Sequence, residues 1–215
     1  MNQFVREPIN GFTHLAGAIL SFAGLLMMVA KAAYVSPSEE VMTAVVIFGV
    51  SLMMLYSASA TYHMAVARDK VIHFLRRLDH SMIYILIAGT YAPFCLITLN
   101  GKTGWILFSV ILAAAVAGVV FKLVWFESPR WLSTALYIAM GWMIVFAASP
   151  LSNSLSAGGM ALLVSGGVLY TIGGMIYAIK PRFMEMKHIG YHEIFHVFIL
   201  LGSLAHFLSV YLYVL

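Results

Sequence analysis

Charge is what this chain has least of. Only 9% of its 215 residues are Asp, Glu, Lys or Arg, against about 25% in an ordinary soluble domain. That shortage excludes a conventional water-soluble globule. A single cysteine, Cys95, excludes an intramolecular disulfide. The net charge of +4 is spread between apolar runs rather than gathered into one basic stripe, which argues against nucleic acid as a partner. No low-complexity tract or internal repeat interrupts the chain, and no polar segment is long enough for a soluble domain.

Apolar residues make up 62% of the chain. A membrane-spanning helix needs about 20 of them in a row. The pattern predicts an all-α fold, a polytopic bundle of seven transmembrane helices forming one domain over residues 1–215. The expected spans are 11–34, 41–64, 78–99, 103–124, 132–149, 158–179 and 191–215. Turn and charge signals separate them: Ser36-Pro37-Ser38-Glu39-Glu40, the basic stretch 67–77, Asn100-Gly101-Lys102, Glu127-Ser128-Pro129-Arg130, 150–157 and 180–190. The first run exceeds the roughly 7–15 apolar residues of a secretory signal, and Glu7 offsets Arg6, so it reads as a retained span.

The basic residues set an orientation. With the N-terminus inside, ten of the twelve fall on the inner side: Arg6, Arg68, Lys70, Arg76, Arg77, Lys122, Arg130, Lys180, Arg182 and Lys187. Only Lys31 and Lys102 fall outside. Positive loops stay in the cytoplasm, so the N-terminus is expected there and the C-terminus outside.

Polar residues within apolar spans are functional candidates by default, because hydrocarbon solvates them poorly. His192 and His196 are one helical turn apart, with Cβ atoms about 5–6 Å from each other, and make a natural pair of zinc ligands. The topology places them in the first two turns of the seventh span. It places His63 near the inner end of the second span and Asp79 in the first turn of the third, at the same depth. His63 is therefore the expected third ligand, with His14 in the first span as its rival. Ser59, one turn before His63, either holds a metal-bound water or orients a ligand, or back-bonds to its own helix. Asp79 either serves as general base for that water, or rests at a helix N-terminus and pairs with Arg76 or Arg77.

His192-Glu193-Ile194-Phe195-His196 also spells the HExxH of zinc proteases, with Glu193 as base. The continuation Val197-Phe198-Ile199-Leu200-Leu201-Gly202 lacks a third histidine, and no acidic residue follows Glu193. A further ligand must come from upstream. His206 lies about 21 Å along the axis from His192 and cannot share its ion. His80 points about 100° away from Asp79 around the helix. His73 and His188 are expected in loops. The pairs Gly158-Gly159, Gly166-Gly167 and Gly173-Gly174 suit close helix packing.

Ser59-Ala60-Thr61-Tyr62-His63, Arg77-Leu78-Asp79-His80 and the His-x3-His of the seventh span form a familiar set. So do the opening Glu7-Pro8-Ile9-Asn10-Gly11-Phe12-Thr13-His14 and the run Ala88-Gly89-Thr90-Tyr91-Ala92-Pro93. The chain resembles the hemolysin III type of the progestin and adipoQ receptor (PAQR) family, part of a wider set that includes alkaline ceramidases. The resemblance spans essentially the whole sequence. It implies a seven-helix bundle with a cytoplasmic N-terminus, and a zinc ion (Zn2+) held by His63, His192 and His196. It further implies Asp79 and Ser59 beside the bound water. Relatives with that site are receptors or lipid amidases. This chain has no long polar region ahead of its first span, which favours a multi-pass protein of the bacterial inner membrane over a hormone receptor.

The leading expectation is a zinc-dependent intramembrane hydrolase acting on a lipid amide or ester bond, with membrane lipids as partners and an acyl chain between the helices. The alternatives are a non-catalytic membrane-stress or lipid-sensing protein with structural zinc, and a cytolysin. The charged residues cluster at one interface rather than threading the bilayer, which speaks against a pore.

Overall fold

The protein is described from a computed structural model covering residues 4–186 and 189–215. Lys187 and His188, assigned above to the inner side and to a loop, lie outside the described residues. Among the described residues, seven helices are long and apolar enough to cross a membrane: α1 Pro8–Val35, α2 Glu39–Met64, α3 Asp69–Leu99, α4 Gly101–Val124, α5 Arg130–Ser154, α6 Ala157–Ile179 and α7 Tyr191–Val214. No strand occurs among the described residues. Most links are short, so successive helices run antiparallel. The starts of α1, α3, α5 and α7 therefore share one end of the bundle with the finish of α2.

Local signals explain the boundaries. Pro8 occupies the first turn of α1, where its missing N–H is no loss. The Ser38 hydroxyl accepts from the Val41 amide at 3.1 Å, and Glu39 and Glu40 stand in the first turn of α2, where the helix dipole favours them. The Ser156 hydroxyl caps α6 in the same way.

The helices α2 and α3 form the interior, with half and two thirds of their apolar windows buried, against about a quarter for α1 and α4. Phe48, Leu52, Leu55, Tyr56 and Phe94 centre the core. The outward faces of α1 and α4 instead expose Ile19, Leu20, Phe22, Ile106 and Val116. An apolar surface of that extent suits lipid rather than water. The paired glycines of α6 do pack closely. A Cβ on Gly158, Gly166 or Gly173 would strike Tyr213, His206 or Phe198, all on α7.

Four expectations require correction. The stretch 67–77 is not a connector, because α3 begins at Asp69 and carries exposed, charged first turns. Hydropathy marks where a helix enters hydrocarbon, not where its hydrogen bonds begin. Asp79 is thus ten residues inside the helix rather than in its first turn, and the helix-dipole account of it fails. His73 is likewise on α3, exposed. The expected loop 150–157 is mostly helix, because α5 continues to Ser154. Near its middle, α5 tightens to a 3-10 stretch at Trp142–Ala147. There the Tyr91 hydroxyl enters the ladder, donating to the Gly141 carbonyl at 2.7 Å and accepting from the Ile144 amide at 2.9 Å. A side chain inserted this way is a recognised cause of a helix irregularity.

Candidate metal centre

His63 ends α2 and is fully buried. Its Nδ1 lies 2.6 Å from Oε2 of Glu7. An ionised carboxylate only accepts, so Nδ1 carries the proton and Nε2 is the ring nitrogen left to bind a metal. That Nε2 is buried without a partner, and so is Nδ1 of His196. The first two turns of α7 bring His192 and His196 alongside. One ring nitrogen from each of His63, His192 and His196 lies within 4.8 Å of the others. Tetrahedral zinc with bonds of about 2.0–2.1 Å spaces its nitrogens about 3.4 Å apart, so a metal would draw the three in only slightly. Two buried, orphaned nitrogens on members of so close a trio fit a metal well, since native proteins leave few buried polar atoms unsatisfied.

His14 also reaches this layer. Its ring stacks on His196 with centroids 3.6 Å apart and planes 11° from parallel, and both its nitrogens lack partners. It stands outside the trio that shares the 4.8 Å reach. Asp79 is outside that trio too. Its carboxylate and the Ser59 hydroxyl line the same cavity and face each other. Arg76 and Arg77 do not pair with it; they lie over the Phe126 ring at 5.2 and 5.6 Å. His80 Nδ1 is 3.9 Å from Asp79 but donates to the Arg76 carbonyl at 2.8 Å, and its Nε2 lies 3.1 Å from the Tyr177 hydroxyl.

Glu193 is not placed as a protease base. Its Oε1 accepts from Asn10 Nδ2 and its Oε2 from the Gly190 amide, both at 2.8 Å. The carboxylate secures the start of α7 and ties it to α1.

The residues missed in the sequence are those just ahead of and within the first turn of α1. Arg6 Nη2 donates to the Tyr62 carbonyl at 2.7 Å, and the Glu7 amide donates to the His63 carbonyl at 2.9 Å. These are carbonyls of the last turn of α2, which have no helical partner of their own. Arg6 also pairs with Glu7 at 3.2 Å. The Glu7 carboxyl is held below the usual carboxylate range, chiefly by its hydrogen bond with His63, while burial pushes the other way. The opening Glu7 to His14 motif was the available signal, but a charge pair at a span's edge is ordinarily an anchor. A histidine ligand oriented by a carboxylate is a common outer-shell device, and losing the partner typically lowers metal affinity about 10–100-fold. Glu7→Ala is expected to weaken metal binding by that factor, read by competition with a chelating dye, while Glu7→Asp recovers part of it.

The centre opens into a cavity of ≈ 120 Å³. Ser59, Asp79, His80, His192 and His196 line its near end, and Leu86, Ile87, Phe94, Leu163 and Ile199 line the deeper wall.

A family model described as "Haemolysin-III related" matches residues 2–207. The chain belongs to that family. Like this haemolysin-III-related chain, the "Hemolysin-3" of Bacillus cereus matches over the full length: the two are 41% identical across 100% of this chain and 95% of that protein. The "Hemolysin-3 homolog" of Bacillus subtilis (strain 168) is 38% identical across 97% of this chain and 95% of its own. Similarity extends to the human "Monocyte to macrophage differentiation factor", 22% identical over 78% of this chain and 68% of that one. The expected family is thus the one found, on a multi-pass membrane protein with a histidine trio able to hold a metal ion.

Proposed function

We propose that this protein is a zinc-dependent hydrolase of the bacterial inner membrane that cleaves an amide or ester bond of a lipid near the cytoplasmic face. The observation that carries the reading is the histidine trio at the mouth of an apolar cavity, with a carboxylate beside it that takes no part in the trio. Nε2 of His63 and one ring nitrogen each of His192 and His196 would hold the ion. Zinc there supplies Lewis acidity toward a carbonyl and a water that ionises near neutral pH. Three protein nitrogens leave one position open, which is the pattern of catalytic rather than structural zinc. Asp79 takes the proton on a carboxylate oxygen and returns it to the leaving group. Ser59 orients that carboxylate. Glu7 keeps the His63 proton on Nδ1. The apolar wall receives the acyl chain and keeps bulk water from the reacting carbonyl.

The concentration of basic residues at the site's end of the bundle supports the cytoplasmic placement. His14, stacked on His196 with both nitrogens free, favours a second reading in which a fourth imidazole closes the site around a structural, non-catalytic zinc.

The test is direct. Purified protein in nanodiscs, loaded with one zinc per chain, is incubated with N-acyl and O-acyl lipids, and released fatty acid is measured by mass spectrometry. Release that stops on chelation and returns with zinc is the expected result. A zinc-loaded protein inert toward every amide and ester offered would sink the hydrolase.

A further inference from the structure

The deeper cavity wall has few polar groups, and nearly all are satisfied within the protein. Thr90 donates to the Leu86 carbonyl at 2.8 Å. Thr171 donates to the Gly167 carbonyl at 2.7 Å and accepts from Trp142 Nε1 at 2.9 Å. The Tyr91 hydroxyl is held by α5, and the Tyr170 hydroxyl lies 2.7 Å from Ser203 Oγ.

His206 differs. Its Nδ1 lies 2.8 Å from the Gly202 carbonyl. A carbonyl only accepts, so Nδ1 carries the proton and Nε2 of the neutral ring is a bare acceptor. Among the described residues nothing donates to it. The side chain is 5% exposed and lines the cavity. The placement is built: Tyr170 stacks on the ring at 5.1 Å, and Gly166 makes room for it, since a Cβ there would come within 2.4 Å. An acceptor on a mostly apolar cavity wall is unfavourable when no donor reaches it. The missing donor belongs to whatever occupies the cavity.

Distance narrows the occupant. His206 is ten residues beyond His196 on α7, about 15 Å along the axis, which an extended acyl chain spans in roughly twelve carbons. We propose that His206 Nε2 is a recognition point for a hydroxyl within the acyl pocket, and that the preferred ligand is a fatty-acyl chain hydroxylated near its middle. The inference rests on the acyl-chain reading of the cavity given above, but not on turnover.

The test uses the full-length protein in phosphatidylcholine nanodiscs and a fluorescent fatty acid as displaced probe. Three competitors are compared: stearic acid, its analogue hydroxylated at the twelfth carbon, and its analogue hydroxylated beside the carboxyl group. One hydrogen bond gained in a dry pocket is expected to make the mid-chain hydroxy acid bind roughly three- to tenfold tighter than stearic acid. The analogue hydroxylated beside the carboxyl should gain nothing. His206→Phe fills a similar volume without an acceptor, so it should keep stearic acid binding and lose the preference. Equal binding of the mid-chain hydroxy acid and stearic acid by the wild type overturns the proposal. So does a preference that survives in His206→Phe. The wild-type comparison stands alone should the variant fail to fold. Stearic acid failing to bind at all would remove the acyl-chain reading along with this one, whereas stearic acid binding without hydroxyl preference removes only this one.

Discussion

A protein carrying His192→Ala is expected to leave the membrane with its helices intact and its zinc lost. Ligand number sets the size of the loss. A structural zinc site contributes about 10–16 kcal/mol through four ligands, so each is worth about 3–4 kcal/mol, or two to three orders of magnitude in affinity. Three histidines with one open position leave no ligand to spare. His192 is also the least buried of the trio, so trimming it disturbs packing least. The informative comparison is His14→Ala. His14 stacks on His196 yet stands outside the trio, so that variant is expected to keep one zinc per chain. Elemental analysis after gel filtration, with circular dichroism on the same samples, reads both outcomes. Zinc lost from His14→Ala and kept by His192→Ala would reverse the ligand assignment.

The second large effect is on turnover. Asp79→Asn is expected to cut hydrolysis by about 10²–10⁴-fold, the usual contribution of a positioned general base, while zinc content stays at the wild-type level. The substitution keeps the shape of the side chain and removes the proton acceptor. Its environment explains why so specific an effect is expected. The carboxylate is 14% exposed, lies against Ser59, and has no arginine partner among the described residues. A largely buried carboxylate without a countercharge is unfavourable, and a bound cation beside it resolves that. Single-turnover rates separate this outcome from its rival. If zinc disappears together with activity, Asp79 is a ligand and the structural-zinc reading gains.

Parts of this site were open to inspection in one dimension. The i, i+4 spacing of His192 and His196 fixes a shared helix face in any helix. The alternation of seven apolar runs puts the finish of α2 and the starts of α3 and α7 at one end. Those two facts bring His63 to the pair on α7. Other parts were not legible. Asp79 looked like a first-turn residue because the charged turns of α3 resemble a loop when only hydropathy is read. The α5 boundary was misplaced because Pro150 and the polar residues after it read as a turn, whereas Pro150 sits in the first turn of the helical segment that follows the 3-10 stretch and runs to Ser154. Glu193 sat in a protease motif, and only its contacts with Asn10 and Gly190 reveal a structural duty.

The sequence by itself determined the membrane bundle, its family and the histidines on one layer, because hydropathy, helical periodicity and motif spacing are properties of the chain before it packs. Only the tertiary structure decided that Glu7 grips His63, that His14 stacks rather than joins the trio, and that His206 lines the apolar cavity. Ring orientation and the pairing of a buried nitrogen depend on which neighbours come within about 3 Å, and that is set by how helices pack against each other.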